Sequence, residues 1–376
     1  MSIPYGRHSI SPEDIEAVVK TLGSEFLTTG PEVEKFESAI SEIAEAQYSV
    51  VVSSGTAALH CAYFAADLKP GDEVITTPLT FVATAAMASM FGAIIKFADV
   101  QADTGNIDPE SVKSLVTSKT KVIAGVDYAG HPVEIDELKE IANKAGALFL
   151  EDAAHSIGST YKGRPVGKDA DLTAFSFFPT KNLTTGEGGA ISSQDSELAQ
   201  RAKQFRMHGL VRDPELLRDP NVGAWHQEVH HFGLNYRLPD VLCALGSSQL
   251  GRIQDFKSAR TKIFDRYMSG LIDLEWITLP SKRDYVDPMW HLYPIRVPFE
   301  MRRDLFDYLR ANGVFVQVNY IPAYRHPVYE DLGYKKGLSP NAENYYLSEI
   351  SLPMYADLNE QQQDRVIELL KNYNRI

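Results

Sequence analysis

Ala147-Leu148-Phe149-Leu150-Glu151-Asp152-Ala153-Ala154-His155 decides how this chain is read, because a short apolar run of strand length ends there in two carboxylates. Such a run, bounded by polar residues, reads as a strand buried on both faces. In an open α/β sheet ligands bind beyond the carboxyl ends of the strands, which is where Asp152 falls. Downstream come Phe175-Ser176-Phe177-Phe178-Pro179-Thr180-Lys181-Asn182 and Gly186-Glu187-Gly188-Gly189. A lysine between an apolar strand and a glycine-rich turn is placed for partial desolvation, which lowers its pKa and leaves its amine nucleophilic.

Working outward, apolar runs at 50–53, 73–77, 94–98, 122–126, 148–152 and 172–177 alternate with helical patterns. That alternation predicts an α/β fold, a mainly parallel sheet covered by helices on both faces. Ser11-Pro12-Glu13-Asp14 supplies an N-cap, a first-turn proline and early acids for a helix reaching Leu22. Gly30-Pro31 opens a second helix, with Val33, Phe36, Ile40, Ile43 and Ala44 on one face. Between His208 and Asn235 the chain breaks into a polar loop with Trp225 and three further histidines, and a loop of that length inside a domain points to function or disorder. One helical pattern from Leu238 towards Leu271 then links to a region with strands at 292–297 and 314–318, a helix at 302–311 and a terminal helix from Asn359. The expected division is a large α/β domain over 1–245 and a smaller C-terminal α+β domain over 246–376.

The net charge of −13 argues against nucleic acid or an anionic membrane surface as partner, since phosphate backbones require a basic stripe. Cys61 and Cys243 are the only cysteines, and their spacing suggests neither a disulfide framework nor a metal site. The N-terminal residues lack an apolar segment of signal-peptide type, and the weakly polar run at 81–95 is too short for a bilayer. A cytoplasmic location is the expectation.

Ser53-Ser54-Gly55-Thr56-Ala57-Ala58-Leu59 follows a strand and leads into a helix, so the backbone N–H groups of Gly55 and Thr56 are placed to meet an anion. Ser176 can add a hydroxyl. Phe81, after another strand end, either stacks on a flat heteroaromatic ring or fills the core. His155 either touches a phenolic oxygen of such a ring or caps a helix. A phosphate site, a carboxylate able to keep a pyridinium nitrogen protonated and a lysine able to form a Schiff base are together what pyridoxal 5'-phosphate requires.

With these residues in hand, the whole sequence resembles the nucleotide-sugar aminotransferases of the DegT/DnrJ/EryC1/StrS family. The matching pieces are Leu27-Thr28-Thr29-Gly30-Pro31, Ser54-Gly55-Thr56-Ala57-Ala58-Leu59, Gly71-Asp72-Glu73-Val74-Ile75-Thr76, Glu151-Asp152-Ala153-Ala154-His155, Phe175-Ser176-Phe177, Lys181, Gly186-Glu187-Gly188-Gly189, Asn235-Tyr236-Arg237 and Tyr320-Ile321-Pro322. The resemblance implies a fold-type-I pyridoxal-phosphate enzyme with a seven-stranded sheet. It implies Lys181 as the covalent attachment point, Asp152 at the pyridine nitrogen, Gly55, Thr56 and Ser176 on the phosphate, and Phe81 stacked on the ring. It further implies an obligatory homodimer in which Asn235 reaches the phosphate across the interface. Tyr5, Glu25, Phe26, Leu27, Thr28, Asn319, Tyr320, Ile321 and Pro322 match positions that contact the nucleotide sugar. Arg237 is a candidate for the glutamate carboxylate, because a guanidinium pairs with carboxylates in a bidentate manner; a structural ion pair is the plain alternative.

Two departures from the family pattern narrow the reading. His155 stands where many members carry glutamine, and Val126-Asp127-Tyr128-Ala129-Gly130-His131-Pro132-Val133-Glu134 is similar to the branch acting on a UDP-linked 4-keto-6-deoxy-N-acetyl-L-altrosamine in pseudaminic acid biosynthesis. The implied reaction moves the amino group of L-glutamate to C4 of that sugar. Alternatives are the same transfer to another 4-keto sugar, such as those leading to bacillosamine or GDP-perosamine, and a non-catalytic cofactor-binding regulator. Such a regulator would be expected to lose Lys181 or Asp152, and the chain has both.

Overall fold

Seven strands build the central sheet: β1 (Tyr48–Val52), β2 (Glu73–Thr76), β3 (Ile94–Phe97), β4 (Thr120–Val126), β5 (Leu148–Asp152), β6 (Leu172–Ser176) and β7 (Gly189–Ser193). The computed structural model that defines them describes residues 2–373. Their spatial order is β1-β7-β6-β5-β4-β2-β3. Neighbouring pairs from β6 to β3 run parallel, and β7 is antiparallel to both β1 and β6. Register aligns Val126 with Asp152 and Asp152 with Ala174, so β4, β5 and β6 end along one edge.

Alternate residues of each strand feed two different cores, as the period of a strand dictates. Val52, Val74, Ala124, Leu150 and Ala174 pack with α3 (Gly55–Ala65), α4 (Ala83–Met90) and α7 (Ser196–Arg206). Ile75, Ile123 and Phe149 point the other way, onto α5 (Pro109–Leu115) and α6 (Ile135–Ala145). Val51, Phe175 and Ala190 meet Phe36 and Ile40 of α2 (Pro31–Ala44). A fully buried side chain such as Phe149 contributes about 1.5–3 kcal/mol, so the double-sided burial is what holds these short strands in register.

The first helix, α1 (Pro12–Leu22), has the expected cap: Asp14 N–H donates to Ser11 Oγ at 3.3 Å, and Ser11 N–H donates to the Asp14 carboxylate at 2.9 Å. Asp14 is fully buried because it also accepts from Ser248 Oγ and Gln249 Nε2, both at 2.6 Å, on α8 (Asp240–Gly251).

Several expectations are revised. The single helical pattern from 238 to 271 is two helices, α8 and α9 (Ile253–Leu271), broken at Arg252, whose φ of −107° and ψ of 14° leave the helical region just after Gly251. The sixth sequence run ends at Ser176, and the seventh strand, β7, has no counterpart in the pattern because only Ala190 and Ile191 of its five buried residues are apolar, next to the hydroxyls of Ser192 and Ser193. Ser192 pairs with Ser49 at 2.8 Å and Ser193 donates to the Asp171 carbonyl at 2.6 Å, which satisfies polar groups that a search for apolar runs passes over. Residues 208–235 contain a minimal antiparallel pairing of Leu210-Val211 with Glu228-Val229.

Beyond α9, β8 (Tyr293–Arg296) pairs with β9 (Glu349–Leu352), and α10 (Phe299–Ala311), α11 (Pro327–Asp331), α12 (Pro340–Ser348) and α13 (Glu360–Lys371) complete the chain. The expected strand at 314–318 is an extended segment with isolated bridges instead. Its Val314 pairs with Ile3, and its Gln317 with Ser351. Ile3 is fully buried among Tyr267, Leu305 and Leu352, so the N-terminal segment crosses to the C-terminal region, and Tyr5 is carried to the sheet's edge.

Candidate active site

Beyond the carboxyl ends of β1, β5 and β6 lies a cavity of about 610 Å³, lined among others by Tyr5, Gly55, Thr56, Phe81, Asp152, His155, Ser176, Lys181, Asn319 and Tyr320. Those ten are all residues singled out from the sequence. Glu25, Phe26, Leu27 and Thr28 are exposed outside that lining, as is Asn235; Arg237, Ile321 and Pro322 also lie off it. A larger depression of about 1050 Å³ against α2, β1 and α7 is open and holds none of the candidate residues.

Asp152 ends β5 with its carboxylate 4 % exposed. Its Oδ2 accepts from Thr84 Oγ1 at 2.7 Å, and its Oδ1 from Ala154 N–H at 3.2 Å. Burial pushes its pKa above the usual carboxylate value, while those two donors and the nearby Lys181 pull against the rise. Lys181 responds in the complementary sense: burial lowers its amine to about 8, and Asp152 opposes that. Among the described residues the amine has no hydrogen-bond or ion-pair partner, which leaves it free to react.

At the end of β1, Ser54 caps α3 by accepting from Ala57 N–H at 3.0 Å. The cap leaves the N–H groups of Gly55 and Thr56, first in the helix, facing the cavity. Ser176, last in β6, sits so close that a Cβ on Gly55 would lie 2.7 Å from its Cβ and 2.8 Å from its Oγ. Only glycine allows helix and hydroxyl to converge on one anion. The cavity therefore has helix N-terminal N–H groups and a hydroxyl at one end, a buried carboxylate at another and an unpaired amine beside it, and these residues fit pyridoxal phosphate.

Phe81 is 58 % exposed, with its ring edge-on to Tyr320 at 6.4 Å between centroids, so it is not a core residue. His155 is buried, its Nε2 lies 3.3 Å from Tyr320 Oη, and its Nδ1 has no partner. Burial, and then the neighbouring Lys181, hold this imidazole well below its ordinary pKa, so it is neutral.

Sequence reading missed His291, Gln317 and Thr84, all of which line the same cavity. The ring of His291 lies 4.3 Å from that of His155, and burial keeps it neutral too. The segment 126–134 places it: His291 N–H donates to the Ala129 carbonyl at 2.8 Å. Gly130, at φ +93°, passes so near that a Cβ there would lie 2.1 Å from the Met289 carbonyl oxygen. Nothing local to Trp290-His291-Leu292 signals this; the contact depends on a crossing more than 150 residues along the chain, by the separation expected of tertiary contacts. Thr84 stands three residues after Phe81, and its role becomes visible only once α4 is docked beside β5.

Residues 8–371 match the model of the DegT/DnrJ/EryC1/StrS aminotransferase family. The chain belongs to that family. A Campylobacter jejuni relative named UDP-4-amino-4,6-dideoxy-N-acetyl-beta-L-altrosamine transaminase is 38 % identical over 363 residues, covering 95 % of this chain and 93 % of that one. Helicobacter pylori PseC, an aminotransferase involved in the biosynthesis of pseudoaminic acid, superposes with a TM-score of 0.92 at 32 % identity, covering 99 % of both chains. Spr1654 of Streptococcus pneumoniae in its PLP-form gives a TM-score of 0.92 at 30 % identity over 99 % of this chain and 98 % of that one. As a DegT/DnrJ/EryC1/StrS member this chain is a pyridoxal-phosphate-dependent sugar aminotransferase, with the mainly parallel, helix-flanked sheet of those neighbours.

Proposed function

We propose that the chain transfers the amino group of L-glutamate to C4 of a UDP-linked 4-keto-6-deoxy-N-acetyl-hexosamine, giving UDP-4-amino-4,6-dideoxy-N-acetyl-beta-L-altrosamine, the reaction type of pseudaminic acid biosynthesis. The observation that carries it is the convergence of Lys181, Asp152 and the Gly55–Ser176 cradle on one cavity whose far wall is Tyr5, Asn319 and Tyr320. The activity in the name of the Campylobacter jejuni relative supports the choice of sugar.

In this reading Gly55, Thr56 and Ser176 hold the phosphate, Phe81 lies on one face of the ring, and His155 meets its phenolic oxygen as a neutral group. Asp152 keeps the ring nitrogen protonated. When bound, the cofactor supplies an electron sink for the pair released as a C–H bond breaks. Lys181 would be its covalent anchor, and once displaced by the donor its Nζ would carry the proton from the donor Cα to the cofactor's C4′ carbon in the first half-reaction and from that carbon to the sugar C4 in the second. An amine with a pKa near 8 can do both at neutral pH.

Tyr5, Asn319 and Tyr320 form a wall for the sugar: Asn319 Nδ2 donates to Tyr5 Oη at 2.6 Å, and Tyr128 Oη donates to the Asn319 carbonyl at 2.6 Å. Glu25, Phe26, Leu27, Thr28, Ile321 and Pro322 are assigned to the nucleotide end, beyond the cavity mouth. We assign Asn235 and Arg237 to the active site of a second copy, the former to the phosphate and the latter to the glutamate carboxylate. The exposure of Trp225 (81 %) and Phe232 (97 %) on the same 208–235 segment supports a covering partner. The division into domains at 245/246 and a cytoplasmic location belong to the same proposal.

The test is incubation of the holoenzyme with L-glutamate and a panel of UDP- and GDP-linked 4-keto-6-deoxy sugars, with product mass and C4 stereochemistry as readout. Amination of the UDP-N-acetyl-L-sugar is expected to dominate. Preference for a UDP-D-sugar or a GDP-sugar would overturn the substrate and leave the reaction class. Absence of any glutamate-driven bleaching of the cofactor band would favour a regulator.

A further inference from the structure

Asp152 spends both carboxylate oxygens on this chain. Oδ1 takes the Ala154 N–H at 3.2 Å, and Oδ2 takes the Thr84 hydroxyl at the shorter 2.7 Å. Thr84 Oγ1 lies a further 3.0 Å from Thr80 Oγ1. Both threonines are about as buried as Asp152 itself, at 1 % and 2 % exposure. An ionised carboxylate accepts only, so the Thr84 proton points to Asp152 and the Thr80 proton points to Thr84. The direction Thr80 to Thr84 to Asp152 follows from counting donors. Thr84 is itself fixed, because Tyr63 Oη donates to its carbonyl at 2.8 Å.

We propose that Thr84, oriented by Thr80, is a positioning residue for Asp152: its hydroxyl holds the carboxylate in its charged form and in one orientation, so that the proton shared with the cofactor's ring nitrogen stays on the nitrogen. The inference rests on the reading of Asp152 as the ring-nitrogen partner. The physical problem it answers is specific. Asp152 is buried, and burial is the largest influence on it and favours the neutral acid, against which the Thr84 hydroxyl, the Ala154 N–H and Lys181 act. Lys181 is the one cation acting on it, and that charge is unavailable once the amine is engaged by the cofactor. A neutral donor that is present whatever the state of Lys181 fills the gap. Hydrogen bonds to charged groups in buried sites are among the strong ones.

The test uses the apoprotein, titrated with pyridoxal phosphate across pH 5–9 and followed by quenching of intrinsic fluorescence, and the holoenzyme, followed by kcat and KM. Thr84→Val keeps shape and loses the hydroxyl. It is expected to weaken cofactor binding about 10-fold at neutral pH and to move the acid limb of binding to higher pH, since Asp152 then protonates more readily. In turnover it should lower kcat with little change in the KM for glutamate. Thr84→Ser restores the hydroxyl and should return both the affinity and the acid limb to wild type. Thr80→Val, one bond further out, should give a smaller shift of the same sign and covers the case in which Thr84→Val does not fold. If Thr84→Val and Thr80→Val both bind with the wild-type acid limb, or if Thr84→Ser is as impaired as Thr84→Val, the hydroxyl relay is refuted and the methyl packing is what counts. Failure of the wild-type apoprotein to bind the cofactor would instead sink the function on which the inference rests.

Discussion

The amine of Lys181 makes a quantitative claim on how fast the apoprotein captures its cofactor. Attack on an aldehyde needs the neutral amine. An ordinary lysine near 10.5 has only about three neutral amines in ten thousand at pH 7, whereas one lowered to about 8 has about one in ten, a gain of about 300-fold. Stopped-flow absorbance on apoprotein mixed with pyridoxal phosphate should therefore give a capture rate that climbs about ten-fold per pH unit below 8 and flattens above it. Burial is the larger cause of the lowered value, and Asp152 works against it. Asp152→Asn removes the opposing charge, so its plateau should begin at lower pH and its capture at pH 7 should be faster than wild type, even though its turnover falls because the ring nitrogen loses its partner. Capture and catalysis would thus move in opposite directions in one variant. A wild-type rate still climbing at pH 10, or an Asp152→Asn limb displaced upward, would refute the account of what sets this amine.

Gly55→Ala should weaken binding of pyridoxal phosphate by about 10- to 100-fold, as expected where a methyl group is forced 2.7 Å from Ser176 Cβ at about 1–3 kcal/mol of overpacking. Pyridoxal without its phosphate should be much less affected, and equal losses for the two compounds in a fluorescence titration would mean the cradle does not hold phosphate. Glu349, fully buried, accepts from the Asn319 N–H at 2.7 Å and from Ser351 Oγ, and burial raises its carboxyl to about 8. The native state therefore keeps a proton that the unfolded chain releases, so stability declines as pH climbs from about 4.5 to about 8 and then levels. Glu349→Gln should melt a few °C above wild type at pH 9, by about 1–3 kcal/mol, with the gap closing near pH 5; a gap independent of pH would remove the carboxyl from the explanation.

The parallel core of the fold was legible because its strands are apolar on both faces: β4 and β5 read as strands from composition alone, and their ends fixed where to look for chemistry. β7 was not, since its apolar residues are only Ala190 and Ile191, set between Gly189 and the buried hydroxyls of Ser192 and Ser193, which bond to Ser49 and to the Asp171 carbonyl. The bridge of Ile3 to Val314 was equally hidden, although it explains how Tyr5 reaches the cavity. Within the site, Lys181, Asp152 and the Gly55-Thr56 turn stood out because their chemistry attaches to local motifs. Thr84 and His291 did not, because each acquires its role from a partner on another element: Asp152 at the end of β5 for one, the Ala129 carbonyl after β4 for the other. Residue type in a local pattern reports the reacting groups; the groups that tune them need the packing.

The aminotransfer proposed for this chain requires a covalent link between the amine of Lys181 and the cofactor. Borohydride reduction of the holoenzyme, followed by proteolysis and mass spectrometry, tests it directly. The reduced phosphopyridoxyl group should be found on the peptide containing Lys181, with loss of the visible absorbance band. In Lys181→Ala that adduct and all aminotransfer should disappear while the folded chain persists. A reduced adduct on a different lysine, or aminotransfer retained in Lys181→Ala, would contradict the central claim.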